Sequence, residues 1–112
     1  MITLVAQFSM KPGKEKQALA LVNAVRRESE RSQPQTLQYL VHRLLDKNKK
    51  PSRELVFYEC YRNANALNAH LASKSWKALE AAWRECFEGS SSKAIKVMSL
   101  DRLGGFVRLD VR

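Results

Sequence analysis

A glutamate, a tyrosine and a histidine carry the chemistry this chain can offer. Within the β-prone run Glu54–Tyr61, the alternating residues Phe57, Glu59 and Tyr61 share a face. Glu59 is the anomaly, a carboxyl inside an otherwise apolar strand. Burial penalises its charged form and raises its pKa, and a carboxyl titrating near neutrality suits a general base. Pairing with an arginine, or capping of backbone N–H groups, would instead give Glu59 a structural role, and the sequence leaves that open. His70 follows Tyr61 by nine residues, on a helical segment where it can look inward beside Leu67 and Leu71. Imidazole changes charge near neutral pH and can shuttle a proton, although a lone histidine is also an ordinary helix residue. Trp76, Leu79, Trp83 and Phe87 are spaced 3, 4 and 4 apart, one face of a helix. The two tryptophans either fill a core or line a space where, with Phe57, they stack on a flat ligand. His42 falls on the opposite face of its strand and is assigned no role.

The rest of the composition bounds the answer. The chain has 112 residues, enough for one domain, read here as residues 1–105 with a tail at 106–112. Twenty basic against 11 acidic residues give a net charge of +9, which favours an anionic partner. The basic residues scatter over the first helix, the loop with Lys47, Lys49 and Lys50, and the tail, so nucleic acid is not the favoured partner. Cys60 and Cys86 lack metal-ligand spacing and read as free thiols in a reducing compartment. No metal cluster, phosphate-binding glycine loop, nucleophile elbow or dinucleotide fingerprint is present. The Met1–Met10 stretch lacks a basic start and contains Gln7 and Ser9, so no signal peptide is expected, and no apolar run approaches the ~18 residues that span a bilayer. The expectation is a soluble, cytoplasmic protein without a membrane partner.

The elements that position these residues follow from periodicity. Ile2–Met10 alternates as a strand and stops at Lys11-Pro12-Gly13. Lys14 to about Arg31 carries an apolar helical stripe of Ala18, Leu19, Leu21, Val22 and Val25, ending before Pro34. Leu37–Leu45 and Glu54–Tyr61 form a hairpin around the polar loop 46–52, with Leu37, Tyr39, Val41 and Leu45 on one parity. Asn63 caps a helix over Ala64–Leu71, and Ser73 caps another that runs to about Phe87. Ala94–Leu103 is the last strand, and the alternating tail Phe106–Arg112 is read as a further edge strand, in this chain or on a partner. The order β-α-β-β-α-α-β is an α+β, ferredoxin-like split βαβ: a four-stranded antiparallel sheet with helices on one face. The other face would carry Val5, Leu40, Leu44, Val56, Tyr58 and Cys60, which is too apolar for water and predicts a homodimer closed through the sheets.

Several segments match a known family. Gln7-Phe8-Ser9-Met10-Lys11-Pro12-Gly13-Lys14 resembles the strand, "KPGK" and helix opening of the antibiotic-biosynthesis monooxygenase (ABM) family. Phe57-Tyr58-Glu59-Cys60-Tyr61 resembles its "(L/Y)-Y-E-x-(W/Y)" strand, and Ala66 to Ser73 its "A-L-x-x-H-L-x-S" helix. Ser75-Trp76-Lys77-Ala78 stands where the family has "H-(F/W/Y)-K-A", so Ser75 replaces a histidine. The resemblance implies a dimeric α+β barrel with a pocket between sheet and helices in each subunit. Some members oxidise phenols or quinols with O2 and no cofactor, others degrade haem, and one branch isomerises a phosphorylated sugar. The Asn and Trp that actinorhodin-type oxygenases carry on the third strand are Phe57 and Tyr61 here. The haem-degrading positions hold Ala6, His70 and Glu80, which does not fit haem chemistry.

The leading expectation is a cofactor-independent monooxygenase acting on a phenolic, quinol or anthrone-type molecule. His70, Glu59 and Tyr61 would be catalytic, Phe57, Trp76 and Trp83 would bind substrate, and neither metal nor cofactor takes part. The alternatives are an isomerase or other proton-transfer enzyme on a small anionic metabolite, and a non-catalytic small-molecule-binding dimer.

Overall fold

Alternation places Leu4, Ala6 and Phe8 of the first strand on one side of a sheet, and that strand becomes the sheet's centre. The computed structural model describes residues 1–109. It contains β1 (Ile2–Ser9), α1 (Glu15–Ser32), β2 (Thr36–Leu45), β3 (Pro51–Tyr61), α2 (Ala64–Leu71), α3 (Lys74–Ala81), α4 (Trp83–Cys86), a 3-10 turn (Ser92–Ala94) and β4 (Lys96–Leu100). The strands pair antiparallel in the order β2-β3-β1-β4. This is the ferredoxin-like α+β arrangement.

The helices cover one face. On α1, Ala18, Val22 and Val25 recur at helical spacing and are buried, while Leu19 and Leu21 are half-buried at its margin. Under the C-terminal half of the helical layer lies an aromatic cluster. Phe8 stacks on Phe57 at 5.0 Å and meets the edge of Phe87 at 5.3 Å, and Trp83 packs on both Phe8 and Phe87 at 5.1 and 4.8 Å. Such contacts add about 0.5–1.5 kcal/mol per pair beyond area burial.

The boundaries differ from periodicity in instructive places. The helix expected to run from Ser73 to Phe87 breaks at Ala82. Neither Pro nor Gly causes the break. The chain there is tied to the end of β1: Lys11 N–H donates to Cys86 O at 2.9 Å, Glu88 N–H donates to Ser9 O at 2.9 Å, and Met10 bridges Phe87. Those backbone bonds compete with continued helix and swing Trp83 and Phe87 inward. In β2 a register shift between Thr36 and Gln38 leaves Leu37 exposed, and a second between Arg43 and Leu45 does the same to Leu45, so only Tyr39 and Val41 of the expected stripe pack on the core. The hairpin loop is shorter than the polar run suggests, because β3 begins at Pro51. Asp46 Oδ1 accepts from Asn48 N–H at 2.8 Å and Lys50 N–H at 3.0 Å, and Lys49 takes a φ of 65°. The last strand shortens at both ends, since Ser91 caps the 3-10 turn and Asp101–Leu103 leaves the sheet.

On the open face, Leu40, Leu44, Met98 and Leu100 are exposed and Val5, Val56 and Tyr58 are half-buried. Cys60 departs from the expectation: it is buried, with Thr3 Oγ1 donating to its sulfur at 3.7 Å. Phe106–Leu109 is exposed and forms no strand within the chain, and positions 110–112 of the expected edge strand lie outside the described residues. Among the described residues no helix is long and apolar enough to cross a membrane.

Candidate active site

Between the sheet and α2–α3 lies a cavity of about 470 Å³, within the ~300–1,000 Å³ range of small-molecule sites. Leu4 and Ala6 of β1, Val97 of β4, Leu67 and Ile95 supply apolar wall, and Trp76 of α3 an aromatic one. Glu59 and His70 are its buried polar groups, and Leu71, Lys77, Glu80, Ser92 and Lys93 lie at its exposed side. Pleating aims Glu59 at the helices, because it alternates with Leu55 and Phe57. The N-cap at Asn63, whose Oδ1 accepts from Ala66 N–H at 2.9 Å, starts α2 so that His70 faces the sheet. Ser73 fixes the junction to α3: its hydroxyl donates to His70 O at 2.7 Å and accepts from Trp76 N–H at 3.3 Å.

The six residues singled out from sequence divide into three groups. Glu59, His70 and Trp76 line the cavity. Tyr61 stands behind it, fully buried, its hydroxyl donating to Glu59 Oε1 at 2.5 Å. Phe57 and Trp83 lie in the aromatic core rather than on the cavity wall, and Trp83 Nε1–H donates to Glu88 O at 3.1 Å. Neither structural role considered for Glu59 is present: among the described residues its carboxyl joins no ion pair and accepts from no backbone N–H. Of the two residues expected beside His70, Leu67 is half-buried and Leu71 exposed.

Two positioning residues were missed. His70 Nδ1 lies 3.2 Å from Ser29 Oγ and 3.2 Å from Gln33 Oε1, both at the C-terminal end of α1. An amide oxygen only accepts, so with Gln33 oriented oxygen-first the proton sits on Nδ1 and Nε2 keeps its lone pair. Ser29 was legible, as it continues the buried stripe one turn beyond Val25. Gln33, outside the helix, left no signal. Tyr39 was placed by its alternation but given no part in the site. Its ring lies 5.1 Å from His70, and burial, then the charge of Glu59, raises its phenol well above the ordinary range.

Burial moves the two proton acceptors in opposite directions. It raises Glu59 from 4.5, against the opposing effect of the Tyr61 hydrogen bond. It lowers His70 from 6.5 to about 4, against a smaller pull from the Glu28 carboxylate. Tyr61 is raised far above its usual range, by burial first and then by Glu59, so it stays a hydroxyl donor. Burial therefore works against the order these groups have in water, making the Glu59 carboxylate a better proton acceptor than an exposed one, and His70 is neutral at physiological pH. Among the described residues no group of three or more His, Cys, Asp or Glu side chains is arranged to hold a metal ion.

The His70 shift has a thermodynamic signature. A histidine whose folded pKa lies below its unfolded value contributes stability that is present above pH ~6.5 and lost as pH falls through about 4. The displacement corresponds to about 3 kcal/mol. Urea unfolding of wild type and His70→Asn at pH 7 and pH 4 should show the wild type losing more stability than the variant on acidification. Equal losses would place the imidazole in water.

Fold and cavity together define a ferredoxin-like α+β protein with a small-molecule-sized site between its sheet and its helices. Residues 1–82 match the family model described as antibiotic biosynthesis monooxygenase, and the chain belongs to that family. Among solved structures it is similar to PA3566 from Pseudomonas aeruginosa, with 22% identity over 92% of this chain and 94% of that one and a TM-score of 0.74. Rv0793 from Mycobacterium tuberculosis gives 22% identity over 93% and 96% of the two chains, with a TM-score of 0.71. A structure described as an antibiotic biosynthesis monooxygenase gives 23% identity over 93% and 100%, also at 0.71. At these identities the likeness establishes the fold. No curated protein sequence matches the chain.

Proposed function

We propose that the cavity binds a phenol, quinol or anthrone and promotes its oxidation by O2 without a cofactor. The observation that carries this reading is the pair Glu59 and His70, two proton acceptors that burial shifts in opposite directions on an apolar-walled cavity. The ring lies against Trp76. In a quinol or a hydroxylated anthrone one hydroxyl donates to His70 Nε2 and anchors the ring, and Glu59 takes the proton of the other hydroxyl or of the methylene; in a simple phenol Glu59 takes the hydroxyl proton itself. Tyr61 stabilises the carboxylate that does so.

For an anthrone the balance is as follows. Loss of a proton gives the enolate, which passes one electron to O2. The carbon radical and superoxide join in a C–O bond. The peroxide takes a proton and loses water as the second C–H proton leaves, and the methylene becomes a carbonyl. Carbon gives up four electrons, one oxygen atom enters the product and the other leaves as water. The protein's part is to generate the anion and to exclude solvent from it.

The reading includes a homodimer closed through the open sheet face, which would bury Leu40, Leu44, Met98 and Leu100. Sedimentation should give twice the 12.8 kDa chain mass. The reaction is tested with 18O2 and chelator-treated protein on a panel of quinols and anthrones. Label in both product and water is expected. Turnover under nitrogen would overturn the reading in favour of proton-transfer chemistry alone.

A further inference from the structure

The cavity is polar at two depths, and the two depths differ in charge. The inner groups, Glu59 and His70, are 7% and 2% exposed. The outer groups are Lys77, Glu80, Ser92 and Lys93. Glu80 is engaged at both oxygens: Lys77 Nζ lies 3.6 Å from Oε1, and Ser92 Oγ donates to Oε2 at 2.8 Å. Lys93 joins no ion pair among the described residues. The exposed side of the cavity therefore holds two ammonium groups against one carboxylate that is already satisfied.

We infer that the molecule taken by this cavity is an aromatic oxyacid, its ring against the wall that Trp76 and His70 form together, their own rings 5.9 Å apart, and its oxyanion at the mouth beside Lys93 and Lys77. The inference rests on the proposed function for the aromatic part, and adds the anionic head group. Three observations favour it. The wall between the two depths is apolar, with Leu4, Ala6, Leu67 and Ile95, so a charge is accommodated only at the mouth. The mouth carries uncompensated positive charge. The net charge of +9 makes the whole molecule attractive to an anion during encounter. Both lysines are solvated, so each contributes modestly, in the range of exposed charge pairs.

The test uses a matched pair of probes, 6-hydroxy-2-naphthoate, whose hydroxyl and carboxylate lie at opposite ends of the ring system, and 2-naphthol, titrated against the full chain by fluorescence. The acid should bind about ten-fold more tightly at about 20 mM salt, and its advantage should shrink several-fold at about 500 mM salt. Lys93→Gln should weaken the acid about three- to five-fold and leave the naphthol unchanged, while Lys93→Arg should retain the preference. Equal affinity for the two probes, binding of neither, or a preference untouched by both high salt and Lys93→Gln would overturn the inference. A preferred acid together with absent O2 uptake would sustain it and remove the oxygenase reading instead.

Discussion

Glu59→Gln is expected to lower O2-dependent turnover by about 10²–10⁴-fold, the usual contribution of a positioned general base. The amide keeps the shape of the carboxyl and can still accept from the Tyr61 hydroxyl that now lies 2.5 Å from Oε1. What it loses is the site for the proton. Stability separates lost chemistry from lost fold. A carboxyl whose folded pKa is raised stabilises the fold below its unfolded pKa, and that contribution disappears as pH rises through the folded value. At pH 8 the variant should therefore be at least as stable as the wild type. Tyr61→Phe should act more mildly. Without the hydroxyl that favours the carboxylate, the pKa of Glu59 climbs further, and the rising limb of the pH–rate profile should move up by about one pH unit. A profile that stays in place would take Glu59 out of the reaction.

Trp83→Ala is expected to remove about 3–5 kcal/mol of stability, as large-to-small changes at fully buried aromatic sites do. For a domain of this size that is a fall in Tm of about 10–20 °C. Trp83 is 1% exposed, touches Phe8 and Phe87, and ties its indole N–H to Glu88 O. Its surroundings extend the effect: Gly89 has a φ of 96°, and a Cβ there would sit 2.4 Å from the Ala94 Cβ, so the turn beneath the indole has little room to adjust. Trp76→Ala provides the contrast. Trp76 lines the cavity, so its removal should weaken the binding of flat ligands beyond its effect on Tm. Calorimetry on both variants, with the naphthol titration beside it, separates the core tryptophan from the wall tryptophan. A Trp83→Ala protein that melts like wild type would contradict the packing.

The contrast between the two tryptophans marks where sequence stops informing. Their spacing with Leu79 placed both on one helical stripe, and a stripe says only which side faces inward. Whether a side chain meets other side chains or a void depends on what the opposite layer brings. Trp83 meets Phe8 of the sheet and Phe87 beyond α4, whereas Trp76 borders the cavity whose lining includes the small Ala6 together with Glu59 and His70. The break at Ala82 that separates them comes from backbone bonds to Ser9 and Lys11, more than seventy positions away, which no local pattern carries. Glu59 and His70 were legible because a polar residue on an apolar periodic face is a local signal. Gln33, which orients His70 from outside α1, has no such signature. The four strands and the β2–β3 pairing follow from alternation and the antiparallel hairpin, whereas the two register shifts of β2 do not, since a bulge leaves the composition of a strand unchanged.

The central event is removal of a proton from a bound phenol or anthrone at the Glu59–His70 pair. The most direct measurement is anaerobic: mix an anthrone with wild type and with Glu59→Gln in the absence of O2, and record the absorption spectrum. The red-shifted band of the enolate is expected on the wild type, stable until O2 is admitted and then lost as product forms, with only the neutral spectrum on Glu59→Gln. A bound anthrone that stays neutral on the wild-type protein, or an enolate of equal intensity on the variant, would contradict this expectation.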